Sequence, residues 1–142
     1  MTTPLRRGLP RLGAIAAALA LLAACGGKVI TVGDVTVLVS RSTSAGMDAL
    51  GGGRLEVVGG CLGTSGYVVL WPSGTDVVSE NPVTIEIPGN GTFTLGDEVQ
   101  VGGGFVLEHS SQDREPGTFE AGGVTVPAEC AEHDVFLARP GP

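Results

Sequence analysis

The chain has 142 residues, with 15 acidic side chains against 8 basic ones, a formal net charge of −7 and 24 glycines. All the acidic residues follow position 25, while three of the basic ones precede it. An acidic surface of this kind repels nucleic acid and anionic headgroups, which argues against a DNA- or phosphate-binding role and accounts for solubility.

Arg6, Arg7 and Arg11 are the only charges of the first segment. Leu12 to Ala24 then runs uncharged for 13 residues, too short for the ~20 apolar residues that a spanning helix needs. It fits the h-region of a signal peptide. The run ends in Leu22-Ala23-Ala24-Cys25, which resembles the lipobox of bacterial lipoproteins. The resemblance covers residues 1–25. It implies a signal peptide at 1–24 that is removed, a Cys25 thiol carrying diacylglycerol, and a protein held by acyl chains such as palmitate on the extracytoplasmic face of a cell membrane. Two other readings stay open: cleavage by ordinary signal peptidase after Ala18-Leu19-Ala20, and a short core helix in which Cys25 has no special role. The order of charge, apolar run and small residues favours the lipobox. Gly26 is not the aspartate that in this family retains proteins at an inner membrane, so inner and outer membranes are both possible addresses.

Residues 25–28 form the lipidated cysteine and a short tether, 29–139 a single domain, and 140–142 a tail. The mature chain of 118 residues keeps five basic residues against fifteen acidic ones, a net −10. That length is one domain with a modest core.

The domain reads as short strands separated by turn signals. Val29–Val39 is rich in β-branched residues and is broken at Gly33-Asp34. Ser40–Gly53 reads as a break with one helical turn at Met47–Leu50. Strands follow at Arg54–Val58, Tyr67–Trp71 (stopped by Pro72-Ser73-Gly74) and Val83–Ile87, where apolar and polar residues alternate as in a strand with one wet face. Pro88-Gly89-Asn90-Gly91 contains the hairpin signal Asn-Gly, with Thr92–Leu95 as the return strand. Glu98–Val101, Phe105–Glu108, Val124–Val126 and Val135–Ala138 complete the set. Ser110–Gly123 is polar and reads as a loop, and Pro127–Glu132 is the best helical candidate. The expected fold is mainly β: a small antiparallel barrel or, failing that, a two-sheet sandwich of short strands. Gly96–Val101 is similar to the strand turns of OB-like barrels.

Cys61 and Cys130 remain once Cys25 is acylated. In an oxidising envelope compartment the pair reads as a disulfide. The rival is a metal or redox site of Cys61, Cys130 and His133, completed by His109 or Asp134, but no second close Cys or His pair fixes a tetrahedral set. The sites therefore carry no metal and no cofactor. Gly51-Gly52-Gly53 and Gly102-Gly103-Gly104 precede strand-like sequence, so they read as barrel bends rather than phosphate loops, which require a helix N-terminus. A hydrolase would draw on His109 or His133 with a serine such as Ser65, Ser110 or Ser111, but no nucleophile elbow is present. Asp97 and Glu98 read as surface charges, and Trp71, at the end of an apolar strand, as core rather than a stacking platform. The leading function is a non-enzymatic, membrane-anchored binding or structural module. Its partner is the membrane through Cys25, with an envelope protein or small ligand beyond that. The alternatives are the small metal or redox protein and the small hydrolase.

Overall fold

A computed structural model describes residues 26–41 and 48–140. The leader, Cys25 and Met47 lie outside the described residues. Twelve strands follow in chain order: β1 (Lys28–Val32), β2 (Val35–Val39), β3 (Ala49–Val58), β4 (Cys61–Thr64), β5 (Tyr67–Trp71), β6 (Asp76–Glu80), β7 (Val83–Ile87), β8 (Gly91–Thr94), β9 (Glu98–Leu107), β10 (Phe119–Ala121), β11 (Val124–Val126) and β12 (Val135–Ala138). A three-residue 3-10 turn, Cys130–Glu132, precedes β12.

Five strands close a ring. β3 pairs with β4, β4 with β5, β5 with β12, β12 with β9, and β9 returns to β3. In chain order this is first, second, third, fifth, fourth and back to first, a Greek-key closure of the OB type. Closure favours the barrel over the sandwich. The expected antiparallel pairing holds at every joint but one: β5 and β12 run parallel, Val68↔Val135 through Leu70↔Leu137. Outside the ring, β2 pairs with β1 along one edge and with β4 and β5 along the other. β6–β8 form a separate antiparallel meander between the third and fourth ring strands.

The ring closes because two long strands change partners partway. Residues 49–54 of β3 pair with β9, and residues 55–58 pair with β4. β9 pairs with β3 up to Gly103 and with β12 from Gly103 onward. Gly102–Gly104 spans the change in β9, and Gly51–Gly53 lies just before the change in β3. At Gly103 the backbone has φ +152°, and a Cβ would collide with the carbonyl oxygen of Leu137. Only glycine lets the two strands approach this closely. The triplets are thus bends, as expected, but they are inside strands and not between them. β3 begins at Ala49, so Ala49 and Leu50 are extended instead of helical. Glu98–Val101 and Phe105–Glu108 are one strand and not two.

Apolar side chains fill both sides of the barrel wall. Val37, Val39, Leu55, Leu62, Val69, Trp71, Val99, Val101, Phe136 and Ala138 point inward, where Ile85 and Ile87 of the meander join them. Leu38, Val58, Cys61, Val68, Leu70, Leu107, Val135 and Leu137 point outward under β11 and the 3-10 turn. This explains the unbroken apolar runs of β5 and β12: both are covered on two faces, as parallel strands usually are. Trp71 is fully buried, and its Nε1 donates to the Leu62 carbonyl at 3.2 Å.

Local signals explain the turns. The β7–β8 connection is a type II turn of Pro88-Gly89, with Gly89 at φ +73° and Asn90 N donating to Ile87 O at 3.0 Å. Pro-Gly, and not Asn-Gly, makes this hairpin. Ser65 (φ 51°) and Gly66 (φ 79°) form the two-residue link from β4 to β5. Three strands escaped the sequence reading. β4 contains Gly63, β6 is largely polar, and β10 falls within a segment expected to be loop. The helical candidate shrinks to the 3-10 turn.

Candidate functional site

Two constellations present themselves, one at each end of the barrel. The first surrounds the disulfide. Cys61 opens β4 and Cys130 opens the 3-10 turn; their sulfurs are bonded, with Cα atoms 5.9 Å apart, and both residues are buried. Each sulfur is therefore committed to the other and unavailable as a thiolate ligand. His109 donates its backbone N–H to Asp134 Oδ1 at 2.8 Å, and its Nε2 lies 2.9 Å from the Ala131 carbonyl, which can only accept. The proton is therefore on Nε2. Arg114 N–H groups reach the same Ala131 carbonyl at 3.3 Å and the Thr118 carbonyl at 2.9 Å, and its guanidinium lies over the Phe119 ring. The His133 ring packs against Gly59, where a Cβ would come within 2.7 Å of its Cδ2.

Cys61, Cys130, His109, His133 and Asp134 thus lie in one neighbourhood, as the metal reading required. Asp134 and the His109 ring, however, tie the 3-10 turn to the segment that follows β9, and the sulfurs are joined to each other. Among the described residues no group of three or more His, Cys, Asp or Glu side chains is arranged to hold a metal. The Ser65 hydroxyl donates to the Gly52 carbonyl at 2.7 Å, and Ser111 Oγ contacts the Glu108 carbonyl. Neither serine is bonded to a histidine. Asp97 and Glu98 are exposed, and Asp97 Oδ2 accepts from Thr94 N.

The second constellation is a concave cleft of about 630 Å³. Leu50 of β3, Gln100 of β9, Asn90 after the Pro88-Gly89 turn, and Arg139, just past β12, surround it, with Pro72 and Ile87 beneath. Asn90 Nδ2 donates to the Gln100 carbonyl at 2.9 Å and ties the turn to β9. Arg139 lies over Gly102, where a Cβ would meet its Nε at 2.9 Å. Its guanidinium pairs with Asp48. Both partners are substantially exposed, so the pair contributes at most about 1 kcal/mol and can exchange for another anion. Leu50 is 73% exposed, an apolar side chain on the rim. Among the described residues the cleft holds a cation, two carboxamides and aliphatic surface. Such a lining can orient a small polar ligand by hydrogen bonds.

The sequence reading named several cleft residues, but only as strand, turn or bend positions (Leu50, Pro72, Ile87, Gly89, Asn90, Gly102), and it gave Arg139 no role. They are brought together by the pairing Leu50↔Gly102 and by the bond from Arg139 N to Gly102 O. Trp71 does not reach the cleft and cannot stack on a ligand there. What the fold defines is a class: a small, disulfide-stapled, mainly β barrel with an open polar cleft at one end. Comparison of this chain with protein-family models, with curated proteins and with solved structures finds no match.

Proposed function

We propose that the protein is an extracytoplasmic lipoprotein, anchored through diacylglycerol on Cys25, whose barrel is a non-enzymatic module that binds a small ligand or an envelope protein. The observation that carries the reading is the buried Cys61–Cys130 bridge in a chain whose first apolar run ends in Leu22-Ala23-Ala24-Cys25. Structural disulfides persist in oxidising compartments, and the leader points to the same compartment. The test is Cys25→Ser, followed by fractionation of cells. The parent stays with washed membranes and the variant is released or accumulates unprocessed. A variant that stays with the membrane and resists washing as the parent does overturns the anchor.

A further inference from the structure

Strand register fixes which end of the barrel lies beside the anchor. Lys28 is level with Val39, Val39 with Trp71, and Leu70 with Leu137. Ala138, one residue further, is level with Gly103, and Gly103 with Ala49. One row of paired residues therefore crosses the sheet from Lys28 to Ala49. The next position beyond it holds Gly27, Ser40, Pro72, Arg139, Gly102 and Leu50. Four of these six line the cleft. The tether and the cleft share one end of the barrel.

The tether is shorter than its sequence suggests. Lys28 already belongs to β1, and Gly27 N donates to the Gly123 carbonyl at 3.0 Å. Gly27 is packed so closely that a Cβ there would strike Val124. Only Gly26 is left between Cys25 and this fixed point. An extended residue spans at most ~3.6 Å, which keeps the Cys25 Cα within about 7 Å of Gly27. A lipid on Cys25 thus holds this end of the barrel at the headgroup layer.

Charge favours the same orientation. Lys28, Arg41 and Arg139, three of the five bases after Cys25, lie at the tether end. They stand with Asp76, Asp48 and Glu86, the last directly across from Asp76. With Arg54, Asp97 and Glu98, which register sets on the same side, that end carries four bases against five acids. The opposite end, past Val32, Cys61, Leu107 and Val135, carries Asp34, Glu108, Glu129, Glu132 and Asp134 against the single guanidinium of Arg114. An anionic bilayer repels the second end more than the first, over a range of ~8–10 Å at physiological salt.

We infer that the barrel stands on the bilayer by its cleft end, with Leu50 and Arg139 facing the headgroup layer and the acidic disulfide end turned away. The inference rests on the lipid anchor proposed above. Its occupant is the phospholipid surface itself. Aliphatic Leu50 and the exchangeable Arg139–Asp48 pair suit a boundary of glycerol, phosphate and acyl chain.

The test uses the full lipidated protein in vesicles of phosphatidylethanolamine and phosphatidylglycerol that carry a headgroup nitroxide. An environment-sensitive fluorophore is placed on Leu50→Cys or on Asp34→Cys, both exposed positions. The expected result is quenching several-fold stronger at Leu50 than at Asp34. Val29→Cys against Glu108→Cys repeats the contrast on other strands. Equal or reversed quenching in protein that floats with the vesicles overturns the orientation and leaves the anchor standing. Failure to float overturns the anchor itself.

Discussion

Reduction of the Cys61–Cys130 bridge is the perturbation whose size can be worked out most directly. The bond links residues separated by 69 positions. In the chain-entropy model a loop of that length restricts the unfolded ensemble by about 14–15 cal/mol/K, or about 4 kcal/mol at 25 °C. Domains of this size unfold with about 2 cal/mol/K per residue, so each kcal/mol moves Tm by about 4 °C. Loss of the bridge is expected to lower Tm by about 15 °C. Both cysteines are buried, so truncation to alanine adds a packing loss to the entropic one. Reducing the intact protein avoids that addition. The assay is thermal unfolding by circular dichroism of the intact protein, oxidised and reduced. Thiol titration in denaturant runs alongside it: none before reduction, two after. A Tm difference under about 2 °C would mean that the bridge does not constrain the unfolded chain as argued. Two free thiols in protein recovered from its own compartment would refute the bridge itself.

The other predictions follow from packing. Gly103→Ala sets a Cβ against the Leu137 carbonyl oxygen where β9 changes partners, and is expected to cost at least about 3 kcal/mol; urea unfolding reads it. Gly96→Ala is the control, since nothing lies within 4 Å of its Cβ position, and it is expected to cost about 1 kcal/mol from backbone strain alone. Trp71, the single tryptophan and fully buried, should emit at short wavelength when folded and shift to the red in a single step with unfolding; a red-shifted native spectrum contradicts its place in the barrel. Tyr67→Phe removes the hydroxyl that accepts from Gly52 N at 2.8 Å and should destabilise by about 1 kcal/mol, measured by the same urea titration.

What could be read in advance, and what could not, follows from the range of each interaction. The alternation of Val83–Ile87 and the apolar runs at Tyr67–Trp71 and Val135–Ala138 are local patterns, and they are strands β7, β5 and β12. That β5 and β12 run parallel is not local, because their register is set by a closure across 63 residues of intervening chain. Gly51–Gly53 and Gly102–Gly104 look like interruptions since glycine lowers strand propensity. In the barrel the same glycines extend β3 and β9 through their bends, because neighbouring backbone at Gly52 and Gly103, and side chains at Gly51, Gly53 and Gly102, occupy the space of a Cβ. The cysteine pairing was legible from their number and the leader. The cleft was not: Leu50, Asn90, Gln100 and Arg139 carry no shared motif and meet only when β3, β9 and β12 take their register. The constellation drawn from residue types, Cys61, Cys130 and His133 with His109 or Asp134, does assemble, but as a structural knot around the 3-10 turn.

The measurement that bears most directly on the membrane-anchored reading is the mass of the N-terminal peptide of protein extracted from washed membranes of its own host. The account predicts a peptide that begins at Cys25, with diacylglycerol on its thiol, and that disappears in Cys25→Ser. A peptide that begins at another residue, or a Cys25 with an unmodified thiol, would contradict it.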